Sequence, residues 1–155
     1  MKNKGGEGSM KILVSACLLG TNCRYDGGNN GREAVLALLE QHTLIPVCPE
    51  QLGGLSTPRP PVEWQGDKAY NNQGQDCTAQ FCKGAREALR IAQLYGCELA
   101  ILKAKSPSCG NRQVYDGTFS GRVIDGMGET ARLLKEHGIR VINETEVEAW
   151  LAERE

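Results

Sequence analysis

Three of the seven cysteines in this 155-residue chain each follow an apolar, β-branched run. Cys17 ends KILVSAC, Cys48 ends TLIPVC, and Cys109 ends LAILKAKSPSC. If these runs are parallel strands, all three thiols emerge at strand C-terminal ends, where open α/β sheets bind ligands. Three thiolates converging there can hold an iron–sulfur cluster with one iron left open for chemistry. Taken singly, each has a plainer reading, because free Cys is often a small buried apolar residue. Their joint occurrence at three strand ends is the stronger signal. Pro46 and Pro49 flank Cys48 and fix its backbone. Ser and Gly around Cys109, in SPSCG, expose N–H groups that favour thiolate or sulfide charge.

The other thiols sort differently. Cys23 lies six residues after Cys17 on the same loop and is the natural candidate for a fourth ligand. Cys77 and Cys82 border a helix at a spacing uncommon for zinc, and Cys82 and Cys97 are expected to pack in the core. The chain has no CxxC, which disfavours a zinc ribbon or a thioredoxin-type site. His42 and His137 fall at helix ends, where capping or solvation is the expected role. No GxGxxG or P-loop follows a strand, and Gly27-Gly28 and Gly53-Gly54 read as turns.

The elements that must position these groups alternate. Lys11 to Ala16 reads as a buried strand, and Arg32 to about Gln41 as a helix with one broad apolar face. Thr43 to Val47 is a second strand. Gln51 to Cys77 carries three of the six prolines and reads as a long loop or small excursion, with Trp64 tacking it to the core. Thr78 is the expected N-cap of a long helix to about Tyr95, with Gly96 following it. Leu99 to Leu102 is a third strand and leads into a second long polar loop. A helix over roughly Met127 to His137, a strand over Ile139 to Ile142 and a final helix capped by Thr145 complete the chain. Alternation of this kind implies βαβ units. The expected fold is α/β, a Rossmann-like or flavodoxin-like three-layer sandwich with a mainly parallel sheet.

Bulk properties narrow the class. A chain that is 40% hydrophobic and 24% charged is an ordinary globular composition. The formal net charge of -1 gives no reason to expect a nucleic-acid polymer or a membrane surface as partner. No apolar stretch approaches the roughly 20 residues that cross a bilayer. Residues 1–9 are expected to be a flexible leader without a signal peptide, and residues 10–155 a single domain. An odd cysteine count without an export signal points to thiols kept reduced in the cytoplasm.

SACLLGTNCRYDGG, PVCPEQLGGLSTPRPPVEW and KAKSPSCG together closely resemble the DUF523 family, whose characterised members are thiouracil desulfidases. The resemblance extends from Met10 to about Val123. It implies a 4Fe–4S cluster held by three cysteines, which by motif are Cys17, Cys48 and Cys109. It implies a non-redox reaction in which an open iron takes the sulfur of a thiolated pyrimidine base or nucleotide, water attacks the ring carbon, and hydrosulfide leaves. Glu50, two residues after Cys48, resembles the family's catalytic Glu. Ser106, three residues before Cys109, resembles its catalytic Ser. Without the resemblance they read as an ordinary loop carboxylate and a turn-capping hydroxyl.

Further loop residues suit substrate binding. Arg24, Tyr25 and Asp26 are placed to read a base edge or ribose, and Arg59 and Lys105 to meet a phosphate. Salt bridges that pin the loops are an equally good account of the charged ones. Two rival functions remain open from sequence. One is a non-catalytic iron–sulfur binding or sensing protein. The other is a zinc or thiol enzyme with Cys17 or Cys48 as nucleophile. The oligomeric state is not legible.

Overall fold

The structure, a computed structural model, describes residues 8–155. Most of the expected leader, residues 1–7, lies outside the described residues. Four parallel strands form the central sheet: β1 (Lys11–Ser15), β2 (Thr43–Val47), β5 (Leu99–Leu102) and β8 (Arg140–Asn143), in the order β2-β1-β5-β8. Counting only these four, the order is 2-1-3-4, which matches the flavodoxin-like alternative rather than the Rossmann one. The chain winds outward from β1 to β2, then crosses back to β5. The switch point therefore lies between β1 and β5, where such sheets open a crevice.

Side-chain alternation along these strands builds two apolar layers. Leu13, Ala100, Leu102 and Val141 face α3 (Thr78–Tyr95) and α4 (Glu129–Glu136). Ile12, Val14, Leu99, Ile101 and Ile142 face α1 (Glu33–Leu36) and α5 (Val147–Glu153), packing with Val35, Val147 and Trp150. Both faces are covered, as a parallel sheet requires.

The long helix α3 buries Phe81, Gly84, Ala85, Ala88, Leu89 and Ala92, one stripe at i, i+3, i+4 spacing. Its small residues permit close approach. A Cβ at Gly84 would stand 1.9 Å from the carbonyl oxygen of Pro49, and one at Gly53 would stand 1.9 Å from that of Gln80. Helix α2 (Pro49–Leu52) therefore lies with its backbone directly on α3.

Several expectations are corrected. The two long loops are not structureless. The first contains the hairpin β3 (Val62–Gln65)–β4 (Lys68–Asn71), the second the hairpin β6 (Gln113–Tyr115)–β7 (Val123–Asp125). Trp64 does tack the first hairpin down, with its ring 6.1 Å from that of Phe81 in an edge-to-face arrangement. The first helix is one α turn followed by a 3₁₀ turn, Ala37–Glu40. Thr78 is the first helical residue, not the cap. Its hydroxyl accepts instead from Ala69 N–H, and Cys77 holds the N-cap position. Asn143, rather than Thr145, caps the C-terminal segment through a capping box with Glu146. His42 is buried at 2% exposure, its Nδ1 accepting from Met10 N–H at 3.0 Å and its ring against Trp150. Cys97 is buried in the core as expected, while Cys82 is half-buried.

Candidate iron–sulfur site

β1 ends at Ser15, and a tight 3₁₀ turn, Ala16–Leu19, carries Cys17 just beyond it. β2 ends at Val47, so Cys48 lies at its edge and opens α2, where Pro49 occupies the first turn as its fixed φ favours. Cys109 arrives from β5 through a turn held by Ser106, whose Oγ accepts from Ser108 N–H at 3.1 Å and Cys109 N–H at 3.0 Å. The three cysteines thus reach the C-terminal edge from neighbouring strands in the order Cys48, Cys17, Cys109. Adjacent strands are about 4.8 Å apart.

All three thiols, together with Cys23, line one cavity of about 660 Å³, within the size range of ligand sites. Cys109 is sealed at 5% exposure, and Ser15 Oγ donates to its Sγ at 3.3 Å. Burial, opposed by that hydrogen bond, pushes its pKa up to about 12. Cys17 and Cys48 are half-buried and behave in the opposite sense. The neighbouring Cys23 thiol, with one proton to offer the pair, is the largest influence on both, bringing Cys17 down to about 7 and Cys48 to about 6; Asn30 assists at Cys17, and Gln51 N–H and the Arg59 charge at Cys48. By the same contacts Cys23 is driven upward and holds its proton. In the metal-free site, then, Cys17 and Cys48 ionise more readily than ordinary thiols, while Cys23 keeps its proton.

Glu50 sits on α2 at the cavity wall. Its Oε1 accepts from Arg59 Nε at 2.9 Å, and its second oxygen takes no protein hydrogen bond among the described residues. The Arg59 side chain is 5% exposed, and four of its five N–H groups have partners among the described residues. Nη1 donates to Ser56 O and Thr57 Oγ1, and Nη2 donates to Cys23 O at 2.8 Å. The structure thus favours the pinning role for Arg59 over an open phosphate contact. Ser106 lines the cavity with its own proton unassigned, because both its protein contacts are ones it accepts.

Arg24, Tyr25 and Lys105 reach the same cavity, but Asp26 does not line it. Asp26 instead accepts from Gly28 N–H and pairs with Arg24 at 3.2 Å. Among the wall residues that the sequence reading missed are Glu63, Tyr115 and Phe119 from the two hairpins, and Lys103, which pairs with Glu144. Residues on unrecognised hairpins carried no signal that aimed them inward. Lys103 did, since it directly follows the third strand.

Among the described residues, no three His, Cys, Asp or Glu side chains are grouped tightly enough for a single metal ion. A cubane offers its irons at separate corners, so its ligands need not converge on one point. The donor set fits such a group. It consists of thiols alone, two of them readily ionised, around a cavity large enough to hold it. No helix of the described residues is long and apolar enough to cross a membrane.

Comparison with known proteins agrees with this geometry. The family model described as 2-thiouracil desulfurase matches residues 12–146. An uncharacterised protein of Bacillus subtilis (strain 168), YbbK, is 42% identical over 146 residues, covering 88% of this chain and 97% of its own. A solved structure, the [4Fe-4S]-dependent thiouracil desulfidase TudS, superposes with a TM-score of 0.84 at 43% identity, covering 94% of this chain and 98% of that one. The chain belongs to the 2-thiouracil desulfurase family.

Proposed function

We propose that this protein is a 4Fe–4S-dependent desulfidase that converts a thiolated pyrimidine, of the 4-thiouracil type, to its carbonyl form with release of hydrosulfide. The observation that carries this reading is the shared cavity, in which three strand-end thiols, a carboxylate and a hydroxyl face one volume of about 660 Å³. Cys17, Cys48 and Cys109 are the ligands in this reading, and Cys23 stands beside them as a hydrogen-bond donor. When bound, a cluster with three protein ligands supplies an open iron that acts as a Lewis acid toward a thiocarbonyl sulfur.

The residues of the chain do the rest. Arg59 holds Oε1 of Glu50 and leaves Oε2 without a protein partner among the described residues, so that in this reading Oε2 accepts a proton from the attacking water and later returns it. Ser106 donates its hydroxyl proton to an acceptor on the ring. Its lone pairs are taken by Ser108 and Cys109 N–H, which orients that O–H. The balance is one water consumed, and one carbonyl, one hydrosulfide and one proton formed, with no change of oxidation state. We read residues 10–155 as one domain, and a reducing cytoplasm as the setting that suits seven free cysteines.

Anaerobic reconstitution followed by incubation with 4-thiouracil and with 4-thiouridine monophosphate tests the reading. Loss of thiocarbonyl absorbance with stoichiometric sulfide release is expected for at least one of them. An intact cluster that leaves both untouched rejects the desulfidase and favours the sensing protein. Substituting Cys17, Cys48 or Cys109 by Ser should each abolish iron retention, whereas Cys23→Ser should keep it.

A further inference from the structure

We propose that Phe119 is the face on which the planar ring of the substrate stacks. It would be a specificity-determining contact delivered by the β6–β7 hairpin loop. The inference rests on the desulfidase reading and names the residue that recognises the flatness of the ring.

Four observations carry it. First, Phe119 lines the same cavity as Cys17, Cys48 and Glu50. Second, its half-buried ring belongs to none of the three apolar clusters, so the core does not account for it. Third, its backbone is left-handed, with φ 56. A bulky L-residue adopts that region only where its surroundings impose it, and such residues gather at ligand sites. Fourth, the imposing groups are identifiable. The carboxylate of Glu63, 8% exposed, accepts through Oε1 from Gly117 N–H at 3.0 Å and Phe119 N–H at 3.1 Å. Gln65 Nε2 donates to Gly117 O at 2.9 Å. Between them on β3, Trp64 Nε1 donates to Pro107 O, next to Ser106. One short strand thus holds both the loop bearing Phe119 and the turn bearing Ser106. Glycine would fit the backbone at 119 with less strain, so the ring is what this arrangement maintains.

The neighbouring aromatics sharpen the assignment. Tyr25, Tyr115 and Phe119 are three of the chain's eight Phe, Trp and Tyr residues, and all line this cavity. Tyr25 is 42% exposed and carries the Arg24 guanidinium over its ring at 5.6 Å, so one of its faces is taken. Tyr115, on the β6 strand, carries a phenolic hydroxyl that calls for a polar partner. Phe119 has no hydrogen-bonding atom on its ring. It discriminates by flatness and π-character, as stacking platforms for nucleobases do.

The test compares uracil, the carbonyl product of the proposed reaction, with 5,6-dihydrouracil. The two share their hydrogen-bonding groups, but the second is not flat. Both are titrated calorimetrically into the anaerobically reconstituted protein. Wild type should prefer uracil by about tenfold or more. Phe119→Gly, which relieves the backbone, should retain its thermal stability yet lose that preference and raise KM for 4-thiouracil more than it lowers kcat. Phe119→Trp should keep the preference. Phe119→Leu, which fills the space without a π-face, should behave as the glycine variant does. If wild type binds uracil and consumes 4-thiouracil while Phe119→Gly or Phe119→Leu keeps the wild-type preference, the stacking assignment alone is overturned. If wild type neither binds uracil nor consumes 4-thiouracil, the desulfidase reading fails and the inference fails with it.

Discussion

Replacing Arg59 by Met keeps most of the side-chain volume and deletes the charge and every hydrogen bond it makes. The Arg59 side chain is 5% exposed and that of Glu50 14%, so the pair is largely removed from water. Four acceptors lose a partner: Glu50 Oε1, Ser56 O, Thr57 Oγ1 and Cys23 O. Removing one member of a buried pair costs about 3–5 kcal/mol, because the remaining charge is left uncompensated. For a chain of this length each kcal/mol lowers Tm by about 2–4 °C, so Arg59→Met should lower it by roughly 6–20 °C. Circular dichroism melts of the metal-free protein measure this directly. Adding Glu50→Gln to Arg59→Met should recover part of the loss, since the orphaned charge is then gone. Arg59→Lys should fall between, because an ammonium restores the charge without the planar fork that reaches both Glu50 and Cys23. A drop of less than about 3 °C for Arg59→Met would show that the pair behaves like an exposed one, worth about 0–1 kcal/mol. The positioning role of Arg59 would then be lost with it.

Three further outcomes follow from the same geometry. Gly84→Ala should push α2 off α3, costing at least about 1–3 kcal/mol of stability and lowering iron content after reconstitution, since Cys48 and Glu50 ride on α2; a variant with wild-type Tm and iron content would refute the contact. In the metal-free protein at pH 7, iodoacetamide should label Cys48 first and Cys17 next, with pKa values of about 6 and 7. Cys77, Cys97 and Cys109, all raised chiefly by burial, should label last, and peptide mass spectrometry showing one of them modified first would contradict this order. Glu146 links stability to pH. Burial is the largest single influence on it and opposes its charge, yet bonds from Arg112, Asn111 and Asn143 N–H outweigh burial and bring its pKa from 4.5 to about 2. A depressed carboxyl stabilises the fold above its unfolded pKa, so about 1–2 kcal/mol, allowing for solvent screening, should be lost as pH falls from about 5 to 2. Glu146→Gln should flatten that part of the urea-midpoint profile.

What could be read from the sequence follows strand length and burial. Ile12–Val14 and Leu99–Leu102 are continuous apolar runs inside a parallel sheet, so their ends, and hence Cys17 and Cys109, were visible. Cys48 was visible for the same reason at the end of β2. The hairpins were not. VEWQ, KAYN, QVY and VID are three or four residues long, too short for a two-residue period to register, and turn residues surround them. Glu63, Tyr115 and Phe119 entered the site unannounced on those hairpins. Asp26 was misplaced because its own turn satisfies it through Gly28. Arg59 was legible as a cation near the site, but its partners come from three separate segments, and only the folded chain brings them together.

The thiols themselves sit far apart along the chain. Ser15 and Cys109, in contact at 3.3 Å, are separated by 94 residues of sequence. Closing so long a loop costs chain entropy before the contact rewards it. In the proposed site, Cys109 joins Cys17 and Cys48 only once β5 has docked against the edge of β1 opposite β2. A chain still emerging from the ribosome exposes Cys17, Cys23 and Cys48 before Cys109 is made. On the proposed assignment, iron delivered at that stage would meet an incomplete ligand set, so productive loading would wait for the finished chain. A cluster held by Cys17, Cys48 and Cys109, as proposed, would bind only the folded state and draw on all three strands at once. Its loss would destabilise the whole sheet rather than fray a single loop.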